Sequence, residues 1–351
     1  MPPIGIVRLA RASLMQQLRL EEALLRSTTR SWFVVSWDPR TGAEERAGDG
    51  GEGAPPPPLA ARPTPGGAAT TTPREQAPTI VLGISGKPAE LIDLPLCVGR
   101  RGGGGGGGCG GAETAAAAAI RRFSGGGTVV VGPGTVLTSL VVSREDLERR
   151  EIDPYPHPLM RWTAKVYARA FEGRGGRGGG GEGGGGGGSD ARPPSLALNE
   201  NDYCFGDLKI AGNAQAITGG RVLHHTSFLW DWREEHMRLL LPPKKQPEYR
   251  RRRAHGAFLS RVRDALPGAF PRPQDLALAL EEAVVREWGG GAEDARAEEL
   301  AEALRGRHLR GNRWVDLEAE AEAEAAAAAR PRRAADAERE ARGGSGSGFV
   351  T

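Results

Sequence analysis

Glycine is clumped in this chain, and the clumps set the limit on what can fold. Residues 102–111 are glycine except for Cys109, and 173–188 are glycine except for Arg174, Arg177 and Glu182. Pro55–Pro58 opens a Pro/Ala/Thr/Gly stretch reaching about Pro78, and the chain ends in an Ala/Glu/Arg-rich tail from Glu318 closing on "GGSGSGFVT". Such segments carry too little apolar surface to offset their ordering entropy, so they read as disordered. Setting aside roughly 39–77, 100–116, 172–193 and 318–351 leaves about 240 residues, enough for one well-buried domain over residues 1–317.

Charge excludes some function classes. The 47 basic and 44 acidic residues nearly balance, at a net +3. That is no footprint for nucleic acid, and "GRGGRGGG" at 173 has two arginines and no interleaved aromatics. No apolar run reaches the length of a membrane span. Three cysteines without paired spacing (Cys97, Cys109, Cys204) point to a reducing compartment rather than a disulfide framework. The first 20 residues carry Arg8, Arg11 and Arg19 and no acid. That is a faint presequence pattern, against which a structural helix is favoured. Only five basic residues are lysine (Lys87, Lys165, Lys209, Lys244, Lys245). In so arginine-biased a chain, a surviving lysine hints that a compact ammonium is needed.

Periodicity outlines the elements. "SLMQQLRLEEALLRS" (13–27) reads as an amphipathic helix capped by Ser13, with Leu14, Leu18, Leu24 and Leu25 on one face. "WFVVSW" (32–37) and "TIVLGIS" (79–85) read as strands, and "PAELIDL" as a short helix. "TVVVG" and "TVLTSLVV" read as strands around the turn Gly132–Gly134. Residues 157–171 read as a helix, "DYCFGDLKIAGNAQAI" as a hairpin turning at Gly206-Asp207, and "RVLHHTSFLWDW" as a strand. Residues 276–288 and 293–309 read as helices. The order predicts an α+β fold: a mixed, mostly antiparallel sheet with packed helices.

Three stretches could carry chemistry. In "RRFSGGGTVVVGPGTV" (121–136), a glycine run before a strand lets backbone N–H groups approach an oxyanion, and Arg121 and Arg122 add charge. The spacing is neither a P-loop nor a dinucleotide fingerprint. In "NDYCFGDLKIAGNAQ" (201–215), Lys209 sits on a half-buried strand, where an ammonium needs an anionic partner. In "HHTSFLWDW", adjacent histidines point to opposite faces and cannot share a metal, and the other histidines lack partners at metal spacing.

Taken in order, "QLRLEEALLR", "GISGKPAELID", "RRFSGGGTV", "NDYCFGDLKIAGNAQ" and "LHHTSFL" resemble the lipoate–protein ligase group of the biotin/lipoate A/B protein ligase family. The resemblance covers most of 14–317 outside the insertions. It implies a fold of the class II aminoacyl-tRNA synthetase/biotin synthetase kind. It also implies activation of lipoate with ATP and Mg²⁺ to an acyl-adenylate, then transfer to a lysine of a lipoyl domain. The acceptors would be lipoyl domains of 2-oxoacid dehydrogenase complexes or the glycine cleavage H protein, with no nucleic acid and no membrane. Lys209 matches the family's essential lysine. Arg121, Arg122, Phe123, Ser124, Gly125, Gly126 and Gly127 match its ligand-binding loop. Asn201, Asp202 and Asn213 match polar positions near the nucleotide and its Mg²⁺, with no protein-held metal. His225 matches the second histidine of the paired strand, and the apolar acyl tunnel is expected at Val129, Ile210 and Phe228.

Three departures stand out. Val130 and Val131 replace a His or Tyr–His after the glycine run, and Leu208 replaces a common basic residue. Residues 274–317 do not match the small accessory domain that some ligases use in adenylation. Two alternatives follow: an octanoyl transferase working without ATP, and a ligand-binding paralogue without activity. Cys204 lies too near Lys209 to match a transferase nucleophile and reads as a small core residue. A basic patch, Lys244, Lys245 and Arg250–Arg253, is a candidate face for an acidic acceptor.

Overall fold

In a computed structural model, the structure describes residues 2–10, 12–39, 41, 77–99, 117–174, 194–243, 246–306, 309 and 311–327. The insertions expected at 39–77, 100–116 and 172–193 lie almost wholly outside these residues, as do Lys244, Lys245 and the tail beyond 327.

The strands are β1 (Ile4–Ala10), β2 (Trp32–Trp37), β3 (Thr79–Leu82), β4 (Ala118–Arg121), β5 (Gly125–Gly126), β6 (Val129–Val131), β7 (Thr135–Ser143), β8 (Leu196–Asn199), β9 (Asp202–Phe205), β10 (Leu208–Ile217), β11 (Arg221–Leu229), β12 (Ala292–Asp294) and β13 (Arg313–Val315). Four of the helices are α1 (Leu14–Ser27), α2 (Pro156–Ala168), α3 (Pro273–Trp288) and α4 (Ala297–Leu304). A large sheet runs β12-β1-β2-β7-β11-β10-β9-β8, with β5 laid on β10, and a small sheet runs β13-β4-β3-β6. Pairing is antiparallel except at β12-β1, β1-β2 and β3-β4. This is the mixed, mostly antiparallel α+β fold that the sequence predicts.

The large sheet is covered on both faces, so its central strands are buried along nearly their whole length rather than on alternate residues. All six residues of β2 are buried. Phe33 and Val35 join the core beneath α2 and α3, whereas Trp32 and Val34 join the core beneath α1 and α4, the two-residue period of a strand. Helix α1 also bridges the sheets: its Met15 and Leu18 pack on Val81 of β3 and Ile120 of β4. Ser13 caps α1 as predicted, its hydroxyl accepting from Gln16 N at 3.3 Å while Gln16 Oε1 accepts from Ser13 N at 2.9 Å.

The helix favoured over a presequence is present at Leu14–Ser27, and ahead of it lies a strand that the sequence reading did not include, Ile4–Ala10, parallel to β2, because a β-branched run finds a strand edge to pair with. Three readings need correction. The expected helix over 293–309 is shorter, with β12 taking its start. "PAELIDL" splits into two helical turns, Pro88–Leu91 and Leu94–Cys97. The tail is ordered beyond 318: residues 317–327 are helical, Leu317 being buried beside Ile80 and Ala119. Alternating Ala and Glu are strong helix formers, and one apolar anchor is enough to dock them.

Candidate functional site

The β9-β10 hairpin turns at Gly206, whose φ of 60° favours glycine. Lys209 opposes Cys204 and Ala211 opposes Tyr203, so the register slips between them. That irregularity sends neighbouring side chains to different surroundings. Ile210 goes into the core, while Lys209 Nζ lies over Gly212, where a Cβ would sit 3.4 Å from it. The ammonium pairs with Asp202 Oδ1 at 2.8 Å, both side chains being largely covered. Asp202 Oδ2 accepts from the Tyr249 hydroxyl at 2.8 Å. Burial and the facing Asp202 carboxylate push the Tyr249 phenol up, so it stays protonated as a donor.

The glycine run is a strand as much as a loop. Gly125 and Gly126 pair with Gln215 and Ala214 of β10. Arg122, only 2 % exposed, is rooted beneath them. Its guanidinium donates to Gly127 O at 2.7 Å, Val81 O at 3.3 Å and Gly125 O at 3.4 Å, while Nε has no partner. Burial lowers it to about 10, opposed by the charge of Glu21. Arg121 donates to the carbonyls of Gly86 and Ile84. Ser124 is buried, and its carbonyl accepts from Ile84 N at 3.1 Å. The two arginines expected to meet a ligand instead hold the backbone that lines a cavity.

A cavity of about 690 Å³ opens in front of this strand. Gly125–Gly127, Thr128, Val129 and Val130 form one wall; Asn201, Asp202, Lys209, Gly212 and Asn213 form the floor. Asn213 is fixed at both ends, Nδ2 donating to Asn201 O at 3.0 Å and Oδ1 accepting from Thr226 Oγ1 at 2.9 Å. The far wall is Met237, Leu240, Arg250, His255 and Phe258. Arg250 is 5 % exposed with its guanidinium 4.9 Å from the Phe258 ring. Burial, with Arg250 and Lys209 nearby, lowers His255 to about 4. Reading Arg250–Arg253 as one basic face for an acceptor hid this wall. Arg250 turns inward, Arg253 pairs with Asp207 at 3.2 Å, and only Arg251 and Arg252 are exposed. Phe258 among the charges was the available signal.

The structure thus brings together Lys209, Gly125, Gly126, Gly127, Asn201, Asp202 and Asn213. It sets Arg121, Arg122, Ser124 and His225 behind them. His225 Nδ1 meets Glu21 of α1 at 3.1 Å and Ser139 Oγ at 2.9 Å, beside a small side pocket shared with Arg122. His224 points the other way, as expected: Gln215 Nε2 donates to its Nδ1 at 2.9 Å, so its Nε2–H faces the Tyr203 hydroxyl at 3.0 Å. Of the three tunnel residues only Val129 lines the cavity; Ile210 and Phe228 belong to the core. Cys204 is fully buried, and burial pushes its thiol up to about 11, which leaves no thiolate to act as a nucleophile. Both oxygens of Asp202 are engaged, one by the Lys209 ammonium and one by the Tyr249 hydroxyl, and among the described residues there is no cluster of three metal-ligating side chains. No helix among them is long and apolar enough to cross a membrane.

A family model, the lipoyl protein ligase A/B catalytic domain, matches residues 67–285. The chain belongs to this family. A relative named an inactive lipoate–protein ligase 2, from Plasmodium falciparum, is 38% identical over 76 residues, 18% of this chain and 20% of that protein. The match therefore spans a fifth of the relative's length. Among solved structures, a bipartite lipoate protein ligase from Thermoplasma acidophilum, described with its E2 lipoyl domain, superposes with a TM-score of 0.55 at 13% identity, covering 86% of this chain and 91% of that one. A lipoate–protein ligase A bound with ATP gives 0.53 at 15% identity over 86% and 92%. LipL1 of P. falciparum in complex with lipoate gives 0.52 at 11% identity over 87% and 69%. At these identities the likeness is one of fold.

Proposed function

We propose that this family member is a lipoate–protein ligase, joining lipoate to AMP at the expense of ATP and passing the acyl group to a lysine of a lipoyl domain. The observation carrying the reading is that Lys209 and the Gly125–Gly127 strand face one cavity of about 690 Å³, within the range of small-molecule sites. ATP would supply the adenylyl group: the carboxylate joins the α-phosphate as pyrophosphate leaves, giving a mixed anhydride from which the acceptor amine then displaces AMP. Nearby, Lys209 counters the negative charge that develops on the acyl carbonyl and the phosphate, contacts that strengthen in the transition state. Asp202 holds that ammonium until an anion arrives, and the arriving anion takes over the proton-rich face. Gly127 has open space around it, so its backbone can be approached closely. Arg250 supplies a second, buried cation to the same cavity. The apolar wall of Leu240, Met237 and Val129 suits an acyl chain and excludes water. The solved relatives described with ATP and with lipoate, and the one described with its E2 lipoyl domain, support these substrates and this class of acceptor.

A second reading, ligand binding without activation, is favoured by one relative's being named inactive and by Val130 on the cavity wall where the family carries a histidine. Lipoate-dependent ATP–pyrophosphate exchange separates the two. Exchange in the wild type and a loss of roughly 10²–10³-fold in Lys209→Ala supports the ligase. No exchange, with lipoate still bound, selects the second reading. Octanoyl transfer from a carrier protein without ATP would replace both by the transferase.

A further inference from the structure

The family match ends at 285, yet the chain returns to the ligand strand afterwards. Strand β13 pairs with β4, Arg313 opposite Arg121, immediately before the glycine run. Asn312 is 4 % exposed and makes three bonds. Its Oδ1 accepts from Phe123 N at 3.2 Å, and its Nδ2 donates to Leu18 O and to Glu22 Oε2, each at 3.0 Å. Gly311 N donates to the Glu22 carboxylate at 3.2 Å. The approach here is close: a Cβ on Gly311 would sit 2.4 Å from the Cβ of Phe123.

From these contacts we propose that residues 311–327 are a strap that holds the glycine strand in its ligand-binding shape, with Asn312 as the positioning residue. Phe123 is where the chain leaves β4 for β5. A buried N–H at such a corner needs an acceptor, and here it comes from a side chain 189 positions away. Leu18 and Glu22 anchor the other side of the amide, so Asn312 ties α1 to the glycine strand. Both anchors and the strap lie outside residues 67–285. Leu317 and Val315 pack against the small sheet beside Val130 of the cavity wall, so the strap is fixed at two points. The inference rests on the reading that the glycine strand faces lipoate.

The test uses the full chain, lipoate titration by calorimetry and backbone amide exchange, on the wild type, Asn312→Ala, and the swap Asn312→Asp with Glu22→Gln. The swap keeps an acceptor for Phe123 N and reverses the donor towards residue 22, while the bond to Leu18 O is lost. Expected is about tenfold weaker lipoate binding in Asn312→Ala, faster exchange at 123–127 with β1 and β2 unchanged, and binding partly restored by the swap. Unchanged binding and exchange in Asn312→Ala overturns the strap. Uniformly faster exchange without rescue also overturns it, since Asn312 would then serve general stability. If the wild type binds no lipoate, the functional reading fails instead. Exchange at 123–127 alone then decides the strap, faster in Asn312→Ala supporting it and unchanged refuting it.

Discussion

Three glycines in a row invite the view that all three are needed, but the geometry selects one. Gly126 has a φ of 122°, and a Cβ there would lie 2.8 Å from Arg122 Nη2, 2.8 Å from Asn213 O and 3.1 Å from Ala214 Cα. The last two are backbone atoms of β10, fixed by pairing on both sides, and the guanidinium is buried and already bonded to Gly127 O. Gly126→Ala therefore meets both backbone strain and overpacking. These cost about 1–3 kcal/mol each, so together roughly 2–6 kcal/mol. The chain can lose this as global stability, or it can detach β5 from β10 and lose it as binding, since each 1.4 kcal/mol is about tenfold in affinity. At Gly125 the nearest atom is Gln215 O, 3.6 Å away, and at Gly127 nothing lies within 4 Å. Gly125→Ala should stay within about 1 kcal/mol of the wild type, through its effect on the unfolded chain. Gly127→Ala should fold normally and lose ligand affinity through a methyl group in the cavity. Urea unfolding midpoints with lipoate calorimetry on the three variants test this. Gly126→Ala behaving like Gly125→Ala in both assays would refute the reasoning.

The buried His224 predicts acid sensitivity. Burial lowers it to about 3, so below pH 6.5 the unfolded chain gains a proton that the folded chain refuses, and stability falls as pH drops towards 3 by about 1.4 kcal/mol per pH unit. His224→Gln should show a slope shallower by nearly one proton in urea unfolding between about pH 5.5 and 4, where the unfolded histidine is charged and the folded one is not; parallel profiles would reject the assignment. At the surface, Arg251→Glu with Arg252→Glu should weaken acceptor docking about tenfold at low salt and little at high salt. Surface plasmon resonance with a lipoyl domain checks it, and a salt-independent affinity removes the idea of an electrostatic face.

Local rules wrote much of this fold. Ser13 and Gln16 spell a capping box, and the structure contains it. The hairpin at Gly206 and the long buried strand β11 follow from turn chemistry and run length. Strands β4 and β13 were illegible for a common reason: each is short and is a strand only because a distant partner is present. The same holds at the site. That Lys209 needs an anion was readable from an ammonium on a half-buried strand, but its resting partner Asp202 was not, because the slip in register aims the side chain. Arg122 looked like a ligand contact because sequence gives charge and not direction.

Determined by the sequence alone are the residues that can pack, the hairpin that presents Lys209, and the glycine run that has no side chains to put in the way. Left to the tertiary structure are which glycine is indispensable, which arginine props and which faces the cavity, and how Asn312 reaches Phe123. Hydrogen bonds and close backbone approaches between residues far apart in the chain depend on where packing places them, and no local pattern encodes that placement.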